Sequence, residues 1–139
     1  MDHFTPAVTA HVAAAVAALA VGAFVFLRRK GTSAHRWTGR AWAILMLAVA
    51  ITSFWITGSD GRYSWIHGLS VFVAAGVPFA VYLAARGKVS AHRRLMSGMY
   101  IGGLIVAGMF TLLPNRLLGR MLWDALLPAA PVLQAALAL

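Results

Sequence analysis

The feature that most restricts what this chain can become is the blocking of its apolar residues. A helix that crosses a hydrocarbon layer of about 30 Å needs roughly 20 mostly apolar residues. Four stretches qualify: Pro6 to Leu27, Ala41 to Thr57 with a polar lead-in from Ser33, Tyr63 to Ala85, and Leu95 to Leu113 with a lead-in from Ser90. The chain is 61% hydrophobic and only 11% charged, which leaves too little polar surface to coat a soluble core of 139 residues. The expected fold is an all-α membrane protein with a four-helix transmembrane bundle.

The net charge of +9 would suggest a nucleic-acid partner on a soluble chain. Here the cations instead flank apolar segments. Arg28, Arg29, Lys30, Arg36 and Arg40 lie between the first two runs, and Arg86, Lys88, Arg93 and Arg94 between the last two. Nine of the twelve basic residues thus share one side, which the positive-inside rule makes cytoplasmic. The N-terminus and the turn TGSDGRYS, residues 57–64, are then outside, and Asp2, Asp60 and Asp124 all avoid the basic loops. The opening MDHFTP lacks a basic n-region, so the first run reads as an uncleaved N-out helix. With no cysteine, thiolate catalysis and Cys-ligated metal centres are excluded.

Pro114 is placed to end the fourth helix. Beyond it, Arg116, Arg120, Trp123 and Asp124 edge an amphipathic stretch of the kind that lies in the membrane interface. Ala125 to Leu139 could make a fifth crossing, although it is short and holds two prolines. The chain is therefore one integral domain, residues 1–139, with hairpins over 6–57 and 63–113 and a C-terminal segment over 114–139.

Ser-Ala-His-Arg occurs at residues 33–36 and again at 90–93. Each copy follows a basic loop and opens an apolar run, so the two hairpins form a tandem repeat. Ser33 and Ser90 are expected as N-caps, with His35 and His92 in the first turns. His11 lies about 25 Å along a helix from Arg28, and His67 about 28 Å from Arg86, so both fall near the outer face. The histidines sort into an outer pair, His11 with His67, and an inner pair, His35 with His92.

In an up-down-up-down bundle, helices one and three face each other across the axis, as do two and four. Each pair could then hold one metal axially, and a haem iron between two imidazoles is the usual use of that arrangement. Arg36, Arg93 and Arg62 could meet haem propionates, since carboxylates favour arginine, or they could anchor the loops to anionic headgroups. Met96 and Met99 are alternative ligands. The expected function is that of a b-type cytochrome-like haem protein passing electrons from a quinol or redox partner to an acceptor, a haem-dependent membrane oxidoreductase in the broadest sense. A small-molecule or ion carrier, and an accessory structural protein without cofactor, are the alternatives. Gly98 and Gly102 show the G-x-x-x-G spacing of helix packing, which also allows a homodimer. Trp37, Trp42, Trp55, Tyr63, Trp65 and Trp123 read first as an interfacial belt.

The motifs HRWTGRAW, SFWITGSDGRYSWIHGLS, AHRRLMSGMYIGG and GMFTLLPNR resemble a family of small predicted bacterial membrane proteins classed as a domain of unknown function. The resemblance runs from about Lys30 to Arg116. It is carried by His35, Arg36, Gly39 and Arg40, by Ser53, Trp65, Ile66 and His67, by His92, Arg93, Met96 and Tyr100, and by Thr111, Pro114 and Arg116. It implies a multi-span helical protein of the bacterial inner membrane and no particular activity; His11 lies outside its motifs. The architecture is loosely similar to that of the two-haem b-type membrane cytochromes.

Overall fold

The computed structural model describes residues 5–56, 65–114 and 116–126. Every regular element among them is helical: α1 (Pro6–Leu27), α2 (Ser33–Ser53), α3 (Trp65–Ala85), α4 (Val89–Gly98), a π-helical segment (Met99–Val106), α5 (Ala107–Thr111) and α6 (Leu117–Leu126). Residues 1–105 form one compact unit and residues 106–139 a second.

Local chemistry sets the helix ends of the first unit. Thr5 caps α1 by accepting from the Val8 N–H, and Pro6 at the first helical position gives up a donor that has no intrahelical partner there. Both basic loops turn at a glycine in the left-handed region, Gly31 (φ 83°) and Gly87 (φ 72°), where a Cβ would be strained. The expected serine caps are displaced. Thr32, with extended backbone, accepts from the His35 N–H at 3.1 Å, which makes Ser33 the first helical residue. In the second copy the extra residue Val89 moves Ser90 into the helix, and the capping position falls to Lys88, which makes no side-chain cap.

Helix α1 packs on α2, α2 on α3, and α3 on α4. Tyr100 brings the π segment against α1: its hydroxyl donates to the Leu19 carbonyl at 3.1 Å, and its ring lies 4.9 Å from that of Phe26. The waist is solidly filled by Ala18, Met46, Ala50, Val77, Ala80 and Met99. Large apolar residues such as Leu27, Ile44 and Val71 point outward, as lipid solvent permits and water would not.

Among the described residues, three helices are long and apolar enough to cross a bilayer: Pro6–Leu27, His67–Ala85 and Val89–Thr111. Helix α2, the fourth expected span, is not among them. Its first two turns carry His35, Arg36 and Arg40, and it stops at Ser53, so its apolar part from Ala41 covers only about 20 Å. In the second unit α6 forms as the amphipathic pattern predicts, and the Trp123 indole donates to the Leu112 carbonyl at 3.0 Å. The outer turn over 57–64, with Asp60 and Arg62, Asp2, and all of the proposed fifth crossing beyond Leu126 lie outside the described residues.

Candidate functional site: histidines at the two ends of the helices

The four embedded histidines occupy opposite ends of the first unit because α1 and α2, and α3 and α4, are antiparallel hairpins. At the outer end, His11 reaches from α1 to the last turns of α2. Its Nδ1 lies 3.0 Å from the Val49 carbonyl oxygen and 3.1 Å from Thr52 Oγ1. A carbonyl can only accept, so Nδ1 carries the proton and, in the neutral ring, Nε2 carries the lone pair. Thr52 donates its own proton back to the Ala48 carbonyl at 2.7 Å, which turns its oxygen toward His11 as an acceptor.

His67 is buried on α3, its ring 6.1 Å from that of Phe54 just beyond α2. Beside it, Ser53 of α2 donates to Ser70 of α3 at 2.6 Å. Both outer histidines are therefore set against the same end of α2.

The inner end repeats the pattern with different partners. His92, half-buried on α4, places Nδ1 2.8 Å from the Ala80 carbonyl of α3, so here too Nδ1 donates and Nε2 holds the lone pair. His35 is half-buried with its Nδ1 shielded from solvent and without a hydrogen-bond partner. His35 titrates below its ordinary range, first because of its burial and then because the charges of His92 and Lys30 act on it. Fourteen residues, about 21 Å of helix, separate His35 from Val49 along α2, which sets the distance between the two ends.

That depression fixes the sign of a pH effect. A histidine whose folded pKa lies below its unfolded value of about 6.5 supports the fold fully above that value and progressively less as pH falls toward the folded value. In the cofactor-free protein, resistance to unfolding should therefore fall between pH 8 and pH 5. The H35Q variant, followed by thermal denaturation in detergent across that range, should show a shallower slope; equal slopes would remove His35 as the source.

Arg36 folds its guanidinium onto the Gly31 carbonyl at 2.9 Å, and Arg93 is exposed. Met96 is partly buried, whereas Met99 is wholly buried and packs its sulfur toward Gly76. Gly98 and Gly102 face open space, in keeping with a small-residue surface. Among the described residues no three His, Cys, Asp or Glu side chains gather as a metal-binding group. Trp37 and Trp55 are exposed as a belt requires, with Arg40 over the Trp37 ring, but Trp42 is a core residue. It sits among Tyr100, Gly22 and its own helix. Its place three turns into an amphipathic helix, after a basic first turn, was the available signal that it faces inward.

A protein-family model described as a predicted membrane protein (DUF2306) matches residues 8–113. Neither the curated proteins nor the solved structures contain a match.

Proposed function

Since the chain belongs to the DUF2306 family of predicted membrane proteins, a membership that assigns no chemistry, we propose from its own residues that it is a b-type haem protein carrying electrons between the two membrane faces. The reading takes α2 as a fourth crossing, with the basic loops cytoplasmic and the N-terminus outside. The observation that carries it is the matched setting of His11 and His92. Each donates Nδ1–H to a backbone carbonyl of a neighbouring helix, at opposite ends of the bundle. This is the hydrogen bond that orients a ligating imidazole and raises the basicity of its other nitrogen.

The donor set agrees with haem better than with a bare ion. No cluster of three ligating side chains is present among the described residues, and haem would need only two side-chain ligands from the protein, which a pair of histidines would provide. His11 with His67 would hold the outer group and His35 with His92 the inner one, above and below the packed waist. When bound, haem supplies a one-electron couple. A quinol would give up two electrons, one at a time, and two protons, and an acceptor at the other face would take the electrons. The chain's own part is to fix the imidazole tautomers, to keep water out of the waist with Met46, Val77 and Met99, and to offer Arg36 and Arg93 to propionates at the inner face.

Purified protein supplied with haem should show a Soret band and a reduced-minus-oxidised α-band in the b-type region. H67L and H92L should each abolish about half of that signal. Absence of both bands, or bands that neither substitution alters, would overturn the proposal.

A further inference from the structure

A groove that none of the histidines lines lies between α1 and the π segment. Ala23, Phe26 and Leu27 of α1 and Tyr100 and Ile101 of the π segment line this open groove of about 360 Å³. That volume is at the lower end of what small-ligand sites offer. The groove walls are almost entirely carbon. The one polar group on a lining side chain, the Tyr100 hydroxyl, already donates to the Leu19 carbonyl. A ring with carbonyls to be oriented, such as a quinone head, would find no donor there; an alkyl chain needs none.

Cations stand where that groove ends. Leu27 is followed directly by Arg28, Arg29 and Lys30. Arg28 lays its guanidinium over the Phe24 ring at 4.3 Å, and Lys30 donates to the carbonyl of the groove-lining Phe26 at 2.7 Å. These contacts hold two positive charges at the end of α1. The acids of the chain, Asp2, Asp60 and Asp124, are all remote from this loop in sequence. The positive charge thus has no acidic neighbour in its own segment. Because these cations directly follow a helix long and apolar enough to cross a bilayer, they would stand near the lipid phosphates, beside the apolar groove.

We propose that this groove is a binding site for one anionic phospholipid, with an acyl chain along Ala23, Phe26 and Ile101 and the phosphate at Arg28–Lys30. Tyr100 forms one wall and also ties the π segment to α1, so an occupied groove would brace that contact. Each cation near an anionic surface contributes roughly 1 kcal/mol, which is about fivefold in retention.

The test is to purify the full chain from nanodiscs of phosphatidylcholine and phosphatidylglycerol in equal amounts and to count the lipids retained by native mass spectrometry. The expected result is one phosphatidylglycerol retained in preference to phosphatidylcholine. Retention should fall about fivefold for each cation removed in R28Q, R29Q and K30Q, and fall likewise in A23F and I101W, which fill the slot from its two walls. Circular dichroism identifies any variant that has lost its helices, and the two walls provide independent tests. Glycerol phosphate in excess should not displace the lipid, since the headgroup alone lacks the chain. Equal retention of the two lipids would overturn the site. So would an effect of the cation variants with none from A23F or I101W, which is the signature of diffuse headgroup attraction, or displacement by glycerol phosphate.

Discussion

G22A should destabilise the protein by about 1–3 kcal/mol, the usual cost of forcing extra volume into a packed interior. Gly22 is buried in α1 where α2 and the π segment converge. A methyl group there would overlap the Tyr100 ring and stand 2.7 Å from the Trp42 indole nitrogen. Neither ring is free to withdraw. Tyr100 is fixed by its hydroxyl bond to Leu19 and by Phe26, and Trp42 is only 4% exposed. The same substitution at Gly98 or Gly102, where a Cβ would meet nothing, should change stability by no more than about 0.5 kcal/mol. Unfolding in mixed micelles, read by tryptophan fluorescence, separates the cases; equal effects at Gly22 and Gly102 would show that the α1–π contact is not packed as described.

M99A should be the most damaging single truncation in the waist, at about 2–5 kcal/mol by comparison with soluble cores. Met99 is fully buried, and its sulfur occupies the space left by Gly76 on α3, 3.0 Å from where a Cβ would stand. Met46 is its counterpart on α2, with its terminal methyl 3.6 Å from where a Cβ on Gly103 would stand. In a bilayer, transfer of apolar atoms to lipid contributes little to such losses, because the tails are as apolar as the core. What remains is the empty volume and its lost contacts. M99L, which keeps most of that volume, should recover much of the loss. If alanine and leucine behaved alike at this position, the knob-and-glycine packing would not be what holds α3 to the π segment.

Part of this arrangement is legible in residue order alone. The bounds of α1 follow from Thr5, Pro6 and the basic cluster at Arg28, and Pro114 announces the end of the last apolar run. The histidine placement by depth is likewise a matter of counting residues from the loops. The capping residue was not legible. Ser33 and Thr32 have the same chemistry, and only the backbone turn at Gly31 decides which of them stands at the boundary. The role of Trp42 was legible only in part: its place on an amphipathic helix pointed inward, but an aromatic residue near a basic loop suits a membrane interface as well as it suits a core.

The sequence by itself determined that this is a helical membrane chain with two basic loops, two histidines toward each end and a repeated loop-to-helix junction. Those properties depend on spacing and on the cost of placing charge and unpaired backbone in hydrocarbon, and both act locally along the chain. Only the tertiary structure decided which nitrogen of His11 and His92 carries a proton, since the carbonyls of Val49 and Ala80 belong to other helices. It also decided that Trp42, Gly22 and Tyr100 meet. Those outcomes rest on which side chains face one another across helix boundaries, and spacing along one helix does not specify them.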